Sequence, residues 1–544
     1  MKKNQAKFFI IPFLLLLSFE IFATDYYFYL QFTDKANSPY SLSNPSEYLS
    51  ERATRRRQYF RITCDSTDLP VNPAYLQEIE TNNFRIHNTT KWLNGATVVS
   101  SDSATIDLLQ VLPFIKWIEY TGKLEKDGRE RTIRKKSFVQ TEALGSYGHA
   151  AAQINQVNGM HLHSAGYRGE GIYIGLLDAG FYNVDIMPAF NVLRLENRLL
   201  GTKDFVNPAS NVFRENSHGA SVLSVMASNI DGQYIGTAPD ASYWLVRTEN
   251  DGPEYPMEMD FWISGIEFLD SLGIDIVNSS LGYATFDAPE MNFTYADLNG
   301  ETARISRAAQ MASKKGIIVV NSAGNDGNKA QKYINVPADA KDILTVGAVT
   351  TEGVASNFSS FGPTSDGRLK PELTARGTST ALMNTNGSFS GNGTSFSAPI
   401  IAGMMACFLH FAKDNRSFIS LDNLFQYVFK SANMYNFPTE QLGYGNPDFQ
   451  KACELLTADI SASNISGIFI FTDTISKTLR IDFGHTDFRY AYVQILDING
   501  KLLLNQIITF EKMDINTNGF NQGIYAVRIV FPNGETSIQK ILIQ

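Results

Sequence analysis

Four polar residues, far apart in the sequence, are of the types that together perform nucleophilic catalysis: Asp178, His218, Asn325 and Ser395. A serine hydroxyl attacks a carbonyl when a histidine accepts its proton, and an aspartate can orient and stabilise that histidine. An asparagine amide can donate a hydrogen bond to the oxyanion that develops. The chain order Asp, His, Ser is one of those in which such a triad occurs.

Taken one at a time, the same residues have ordinary structural interpretations. Asp178 could be a turn residue after a strand, and His218 a capping residue at the start of a helix. Ser395 lies in the run 393–399, which alone describes a polar helix N-terminus with a first-turn proline. Asn325 begins an Asn-Asp-Gly turn. Their combination and order favour the catalytic interpretation.

Between about residues 170 and 450, strand-like runs alternate with helix-like patterns. These strands and helices would position the four candidate residues. The predicted strands are 172–177, 243–247, 274–279, 317–321 and 343–349, and the predicted helices include 257–272 and 302–315. This alternation implies βαβ units and a parallel sheet. In open parallel sheets, functional sites collect at the carboxyl ends of the strands.

The ordered motifs resemble those of the subtilisin-like serine peptidases, over about residues 145–447. Further matching segments are 236–239 (Gly-Thr-Ala-Pro), 277–282 (Val-Asn-Ser-Ser-Leu-Gly), 358–362 (Phe-Ser-Ser-Phe-Gly), 370–372 (Lys-Pro-Glu) and 443–445 (Gly-Tyr-Gly). The resemblance implies an α/β fold in which helices flank a subtilisin-like parallel sheet.

The resemblance also assigns roles to the four residues. Ser395 would attack the peptide carbonyl, and Asn325 would donate to the oxyanion. His218 would take and return the proton, and Asp178 would orient it. Two segments would pair with an extended protein or peptide substrate and wall its first specificity pocket: Ser280, Leu281, Gly282, Ser322, Ala323 and Gly324. This chemistry requires no metal and no organic cofactor.

Two positions depart from the family pattern. Ala179 stands where Ser or Thr usually follows the catalytic Asp, and Ala220 stands where Thr usually follows His-Gly. Each departure removes one hydroxyl, worth roughly 1 kcal/mol and less than a tenfold rate effect. We therefore expect an active endopeptidase. The alternatives are a catalytically silent scaffold that acts as a binding protein, and a processing protease with one cognate substrate.

The N-terminus has the features of a secretory signal peptide over residues 1–23. A lysine-rich start is followed by a short apolar core and a small residue, Ala23. The apolar run is too short for a transmembrane anchor, which needs about 20 apolar residues. We expect export by this signal and a secreted or cell-surface protein with no transmembrane anchor.

Between the signal and the catalytic domain, residues 24–140 mix strand-like and helix-like patterns. In the family that this chain resembles, such a region is an α+β propeptide, and 141–455 would be the catalytic domain. The basic stretch 123–136 is either a processing loop or a solvated linker. In the first case we expect the mature chain to start between Arg134 and Gly148.

The C-terminal segment 460–544 alternates apolar and polar residues, which predicts a small all-β, sandwich-like module. Asn499-Gly500 and Asn533-Gly534 lie between such runs and are typical of hairpin turns. The segment resembles the C-terminal sorting domain of the type IX secretion system of Bacteroidetes, which implies the secretion machinery as a partner. An Ig-like accessory module that binds substrate or glycan is the alternative.

Composition excludes several classes of protein. The 544 residues are 44% hydrophobic and 19% charged, which excludes a mostly disordered chain. A formal net charge of −9 argues against nucleic acid as a partner.

Acids in the loop 286–300 could hold a structural Ca²⁺, as in some relatives. They lack a recognisable ligand spacing, and we therefore expect a solvated loop.

Three cysteines are an odd number for an exported protein. Loss of a propeptide that contains Cys64 would leave Cys407 and Cys453, which could pair. Burial as small apolar residues is the simpler interpretation, since Cys407 lies in an apolar helical stretch.

Overall fold

The structure, a computed structural model, describes residues 24–125, 146–463, 469–473, 477–483, 490–509, 512–531 and 536–543. The predicted signal peptide, and the predicted processing loop from residue 126 onwards, lie outside the described residues. The chain divides into two compact units: one of residues 1–413 and 417–448, and a second of 414–416 and 449–544.

The first unit begins with an α+β part that contains one antiparallel sheet and two helices. Its elements are β1 Thr24–Phe32, α1 Glu51–Phe60, α2 Pro73–Thr81, β2 Arg85–Thr90, β3 Gly95–Ser100 and β4 Ile115–Glu125. The strand order is β2-β3-β1-β4. Alternate residues of β1, such as Phe28 and Leu30, meet Ile79 of α2 in one core, which confirms the α+β expectation.

The rest of the first unit is built around a seven-stranded sheet. Its elements are α3 Ala151–Asn155, α4 Met160–Ser164, β5 Tyr173–Asp178, α5 Asn191–Leu195, β6 Leu199–Asp204, α6 His218–Ala227, β7 Asn229–Ile230, β8 Tyr234–Ile235, β9 Ser242–Arg247, α7 Met257–Leu272, β10 Ile276–Ser279, α8 Arg304–Lys314, β11 Ile318–Ser322, β12 Leu344–Val349, β13 Leu373–Arg376, β14 Thr380–Asn384, β15 Gly387–Gly391, α9 Thr394–Asn415 and α10 Leu421–Ser431.

The seven strands run parallel in the order β13-β12-β11-β10-β5-β9-β6, which confirms the predicted sheet. Each of the five predicted strands overlaps an observed one. The two strands that the pattern did not predict lie at the sheet edges. β6 is half-exposed and has no continuous apolar run, and β13 spans four residues, so neither has the sequence pattern of a buried strand.

Among the described residues, one helix is long and apolar enough to cross a membrane by length and composition alone, namely α9. Most of α9 is buried inside the protein, where Ile400, Met404 and Leu409 have no exposed surface. A core helix of a globular domain passes the same test of length and composition.

The described part of the second unit contains one helix and two antiparallel sheets. Its elements are α11 Phe449–Ser463, β16 Phe469–Asp473, β17 Thr478–Asp482, β18 Ala491–Leu496, β19 Leu502–Ile508, β20 Lys512–Asn516, β21 Gly523–Val530 and β22 Thr536–Ile543. The sheets have the orders β16-β17-β20 and β19-β18-β21-β22. Residues from both sheets, including Leu479 and Val527, share one apolar core, so the predicted all-β module is confirmed. The predicted turn at Asn499-Gly500 joins β18 to β19, whereas Asn533-Gly534 lies outside the described residues.

Within the first unit, the α+β part covers α7 and buries charged groups against it. Asp270 of α7 is fully buried, and its carboxylate contacts Arg56, Arg57 and Lys91. Arg57 Nη2 lies 3.0 Å from Oδ1, and Lys91 Nζ lies 2.9 Å from Oδ2. Burial by itself would raise the pKa of Asp270, but the charges of Lys91, Arg56 and Arg57 outweigh it and hold that pKa well below its usual range.

We expect Asp270→Asn to lower the free energy of unfolding of the uncleaved chain by about 3–5 kcal/mol at pH 7, because Arg56 and Lys91 lose their carboxylate partner and Arg57 keeps only Asp68. The folded-state pKa lies below the unfolded value of about 3.9, so the carboxylate stabilises the fold above that pH and this contribution is lost as the pH falls. The difference between variant and parent should therefore narrow below about pH 4. Urea unfolding at pH 7 and pH 3 measures both effects, with exposed Glu78→Gln as the control. Equal stability of Asp270→Asn and the parent at pH 7 would contradict this account.

Candidate active site

The carboxyl ends of three neighbouring strands form the edge at which the candidate residues meet. β5 ends at Asp178, β11 ends at Ser322, and β10 lies between them and ends just before Ser280. In the parallel register, the last residue of β10 pairs with residues adjacent to the ends of both neighbours. The three strand ends are therefore level, which brings residues distant in sequence to one edge of the sheet.

Asp178 and His218 are in direct contact at this edge. His218 Nδ1 lies 2.8 Å from Asp178 Oδ1, which also accepts the backbone N–H of Ala179 at 2.8 Å. Asp178 is fully buried, whereas the His218 side chain is 30% exposed and begins α6. Asp178 Oδ2 is buried and has no hydrogen-bond partner among the residues that the structure describes. The carboxylate thus fixes the imidazole with one oxygen and leaves the other unused.

The glycine after His218 is required by the close approach of α6 to the end of β5. A Cβ atom at Gly219 would lie 2.5 Å from Gly180 O and 2.9 Å from Asp178 Cβ. No side chain fits there without moving the backbone that carries the carboxylate. The His-Gly pair in the sequence therefore has a packing reason that is independent of any catalytic role.

Ser395 is the second residue of α9, where unpaired backbone N–H groups and the helix dipole favour negative charge. Its Oγ donates to Ser280 O at 3.4 Å, and Ser280 Oγ donates to Ser395 O at 2.9 Å. The ring of Phe396, the next residue, lies 5.9 Å from the His218 ring between centroids. These contacts place the serine against the segment that follows β10, and they place the ring of the next residue, Phe396, near the histidine.

Asn325 is held by Thr394, the residue before the candidate nucleophile. Asn325 Oδ1 accepts the Thr394 backbone N–H at 2.9 Å and the Thr394 hydroxyl at 3.1 Å. With Oδ1 occupied in this way, the amide Nδ2 is left on the side away from Thr394 as a donor. Thr394 was not among the predicted site residues, although it stands directly before Ser395 in the run 393–399.

The two predicted substrate-binding segments begin at the ends of β10 and β11 and lie side by side. Asn321 Nδ2 donates to Leu281 O at 3.2 Å and so joins them. The side chains of Leu281 and Ala323 are buried in apolar clusters, so these residues present backbone groups to the edge. Gly324 has a φ of 108°, and a Cβ there would lie 2.9 Å from Ser360 Oγ, so this position requires glycine. Gly282 is exposed, and Ser280 and Ser322 are buried at the two strand ends.

A buried arginine at the end of a predicted strand supports the turn after Asp178. Arg247, at the end of β9, donates from Nε to Ala179 O at 3.0 Å. Its Nη1 lies 3.1 Å from Asp204 Oδ2, and its Nη2 lies 3.4 Å from Glu215 Oε2. Two carboxylates thus balance the charge and leave Nε for the backbone. In the sequence, the feature that could have pointed to Arg247 is a charged residue at the end of an apolar run.

Together these groups form one constellation: a buried carboxylate, an imidazole in contact with it, a hydroxyl at a helix N-terminus and an oriented amide donor. Asp178, His218, Ser395 and Asn325 lie at the same edge as the two strand-end segments. Such an arrangement is suited to transfer of an acyl group through a serine nucleophile.

Comparison with known protein families gives three matches along the chain. Residues 169–446 match the subtilase family. Residues 27–137 match the peptidase S8 propeptide domain of Bacteroidota, and residues 462–544 match the secretion system C-terminal sorting domain.

Individual relatives match the central part of the chain. Subtilisin NAT from Bacillus subtilis subsp. natto and subtilisin E from Bacillus subtilis (strain 168) are each 30% identical to it over 260 residues, which is 47% of this chain. The match spans 60% of the length of each relative. The solved structure of the prenylagaramide maturation protease PagA aligns with a TM-score of 0.44 and 23% identity, over 55% of this chain and 98% of that one.

The unused Asp178 oxygen leads to a prediction for the neighbouring alanine. We expect Ala179→Thr to have a free energy of unfolding about 1 kcal/mol higher than that of Ala179→Val, because the added hydroxyl can donate to Asp178 Oδ2. Threonine and valine are both branched at Cβ and differ by a hydroxyl in place of a methyl group, so steric strain from the branch is common to both variants. Chemical denaturation of the two variants measures the difference. Equal stabilities would show that a hydroxyl at 179 does not reach the carboxylate.

Proposed function

The chain belongs to the subtilase family, and from this we propose that it is an exported serine endopeptidase that hydrolyses peptide bonds through Asp178, His218 and Ser395. The contact that supports this proposal most directly is the 2.8 Å approach of His218 Nδ1 to the buried Asp178 carboxylate. A carboxylate in that position favours the tautomer whose Nε2 can accept a proton, and it stabilises the imidazolium that results.

In the proposed reaction, Ser395 Oγ attacks the substrate carbonyl carbon while its proton passes to His218. The tetrahedral intermediate carries its negative charge on the former carbonyl oxygen. Asn325 Nδ2 and the backbone N–H of Ser395 would donate to that oxygen. His218 then returns the proton to the leaving amine. In the second half of the reaction, water attacks the acyl-enzyme while His218 takes a proton from it, and His218 gives that proton to Ser395 Oγ as the acid product leaves.

Substrate would bind as an added strand along the segments that follow β10 and β11. The backbone groups of Ser280, Leu281 and Gly282 lie on one side, and those of Ser322, Ala323 and Gly324 lie on the other. Main-chain pairing gives affinity that is independent of substrate sequence, and side-chain pockets add selectivity. Because Leu281 and Ala323 face the core, the backbone carries most of the recognition at these positions.

The flanking matches fit this proposal for the whole chain. The propeptide domain is the chain's own partner, since it packs on α7 of the catalytic domain through Asp270. The sorting domain directs the chain to the cell surface or the extracellular space, which makes the secretion machinery a second partner. The substrates are proteins or peptides, and the chemistry proposed here uses no cofactor.

We expect Ser395→Ala to lower kcat on peptide substrates by about six orders of magnitude, the scale seen for a subtilisin. Asn325→Ala should lower it by about two to three orders, because one oxyanion donor is lost. A fluorophosphonate probe followed by mass spectrometry should place the adduct on Ser395 of the parent chain.

Ser397→Ala is the matched control for this experiment. Its hydroxyl lies in the same helix, is buried and has no hydrogen-bond partner among the described residues, so its removal should leave labelling unchanged. Peptide cleavage that survives Ser395→Ala would refute the assignment of the nucleophile. A folded parent chain that takes up no probe would favour the catalytically silent scaffold.

The C-terminal module gives a separate prediction about export. Deletion of residues 460–544 should leave peptide cleavage intact and trap the protein in the periplasm, because the sorting signal is lost while the catalytic domain is unchanged. Fractionation with immunodetection against the catalytic domain measures this, with the full chain and a periplasmic marker protein as controls. Normal release of the truncated chain into the medium would favour an accessory binding module instead.

A further inference from the structure

Three glutamates converge between the end of β9 and the first turn of α7. One carboxylate oxygen from each of Glu249, Glu254 and Glu258 lies within 4.8 Å of one from each of the others. Glu258 is fully buried, and Glu249 and Glu254 are half-buried. The proposed reaction uses none of these groups.

Two of the carboxylate oxygens in the cluster accept hydrogen bonds, but among the described residues no positively charged side chain pairs with the three glutamates. Glu258 Oε1 accepts the backbone N–H of Asn250 at 2.6 Å, and Glu249 Oε2 accepts the Tyr283 hydroxyl at 2.8 Å. Glu258 Oε2 is buried and finds no donor in the described part of the chain. Across the same residues, none of the three glutamates forms an ion pair with Lys, Arg or His.

Three carboxylates at this spacing repel one another, and burial makes their ionisation harder still. An unpartnered buried oxygen in such a cluster is costly to the fold unless a proton or a cation lies between the carboxylates.

We propose that Glu249, Glu254 and Glu258 together bind one divalent cation of the calcium type. Ca²⁺ binds oxygen ligands at about 2.3–2.6 Å, so two ligands on opposite sides of one ion are about 5 Å apart. The observed spread of at most 4.8 Å fits within that span. The donor set consists of carboxylate oxygens alone, which selects a hard cation over a transition metal.

The position of the site suggests what the ion does. Tyr283, which donates to Glu249, directly follows Gly282 of the proposed substrate segment. Tyr283 is itself buried and pairs with Val336 through backbone hydrogen bonds of 2.8 and 3.1 Å. An ion that holds Glu249 therefore holds Tyr283 and stabilises the wall of the proposed cleft. This is a positioning role that does not depend on the identity of the nucleophile.

The test uses the full chain with Ser395→Ala, so that self-cleavage cannot change the sample and the result does not depend on the proposed activity. After EDTA treatment and removal of the chelator, Ca²⁺ at about 100 times its Kd should raise the Tm by about 3 °C. Mg²⁺ should raise it less, because Mg²⁺ requires a tighter octahedral set of ligands. Tb³⁺ should bind the same site and emit when the aromatic side chains are excited, because Tyr283 lies beside the cluster.

Glu258→Gln and Glu254→Gln, each made in that background, should lose the Ca²⁺-dependent rise in Tm and the Tb³⁺ emission. Glu254 is half-buried, so its variant remains informative even if Glu258→Gln fails to fold. The matched control is Glu290→Gln, an exposed acid in the following loop, which should keep both responses.

Two results would overturn the proposal. One is a parent chain whose Tm and Tb³⁺ emission do not respond to the ions, or whose response survives both glutamine substitutions. The other is a rise in Tm with a tetra-arginine peptide that Ca²⁺ cannot reproduce, which would make the cluster a pocket for a basic side chain.

Discussion

The hydrogen bond between Asp178 and His218 depends on the parallel register of β5, β10 and β11 more than on either side chain. That register makes the strand ends level, so the carboxylate, the segment after β10 and the turn after β11 reach the same edge. Gly219 then lets α6 approach the end of β5 closely enough for His218 to meet the carboxylate. Arg247 holds the carbonyl of the intervening turn from behind. A shift of one residue in the sheet would turn Asp178 to the opposite face.

Helix α7 connects the parts of the first unit. Its first turn carries Glu258 of the proposed cation site, and its apolar face packs in the main core through Ile263 and Ile266. Its outer face meets the propeptide, where Glu267 accepts the backbone N–H of Lys91 at 2.7 Å and Asp270 holds three cations. Removal of the propeptide would expose these buried carboxylates to water. One helix therefore supports the cleft wall at one end and the propeptide along its length.

The hydrogen bonding around the Asp178 carboxylate of the proposed triad is incomplete among the described residues. One oxygen of Asp178 accepts two hydrogen bonds and the other accepts none among the described residues, at the position where the family usually supplies a hydroxyl. The oxyanion side is better organised, since Thr394 binds the Asn325 amide with both its backbone N–H and its hydroxyl. The cost of a missing neutral hydrogen bond is about 1 kcal/mol, small beside the effect of an oriented oxyanion donor. The small cost of the missing hydrogen bond at Asp178, set against the oriented donor at Asn325, favours an active peptidase over a catalytically silent scaffold.

The sequence by itself determined the parallel sheet, the all-β module and the four candidate residues, because each depends on local periodicity or on residue types in a fixed order. Asp178 and Ser395 stand at element ends that hydrophobic patterns mark clearly. Only the tertiary structure decided the rest. Edge strand β6 has no apolar run, Thr394 gains its role from a turn distant in sequence, and the three glutamates become one cluster when the loop after β9 folds onto α7. These features arise from contacts between segments that are distant in sequence. Such contacts form only when the chain folds, so they leave no local pattern of residues from which they could be predicted.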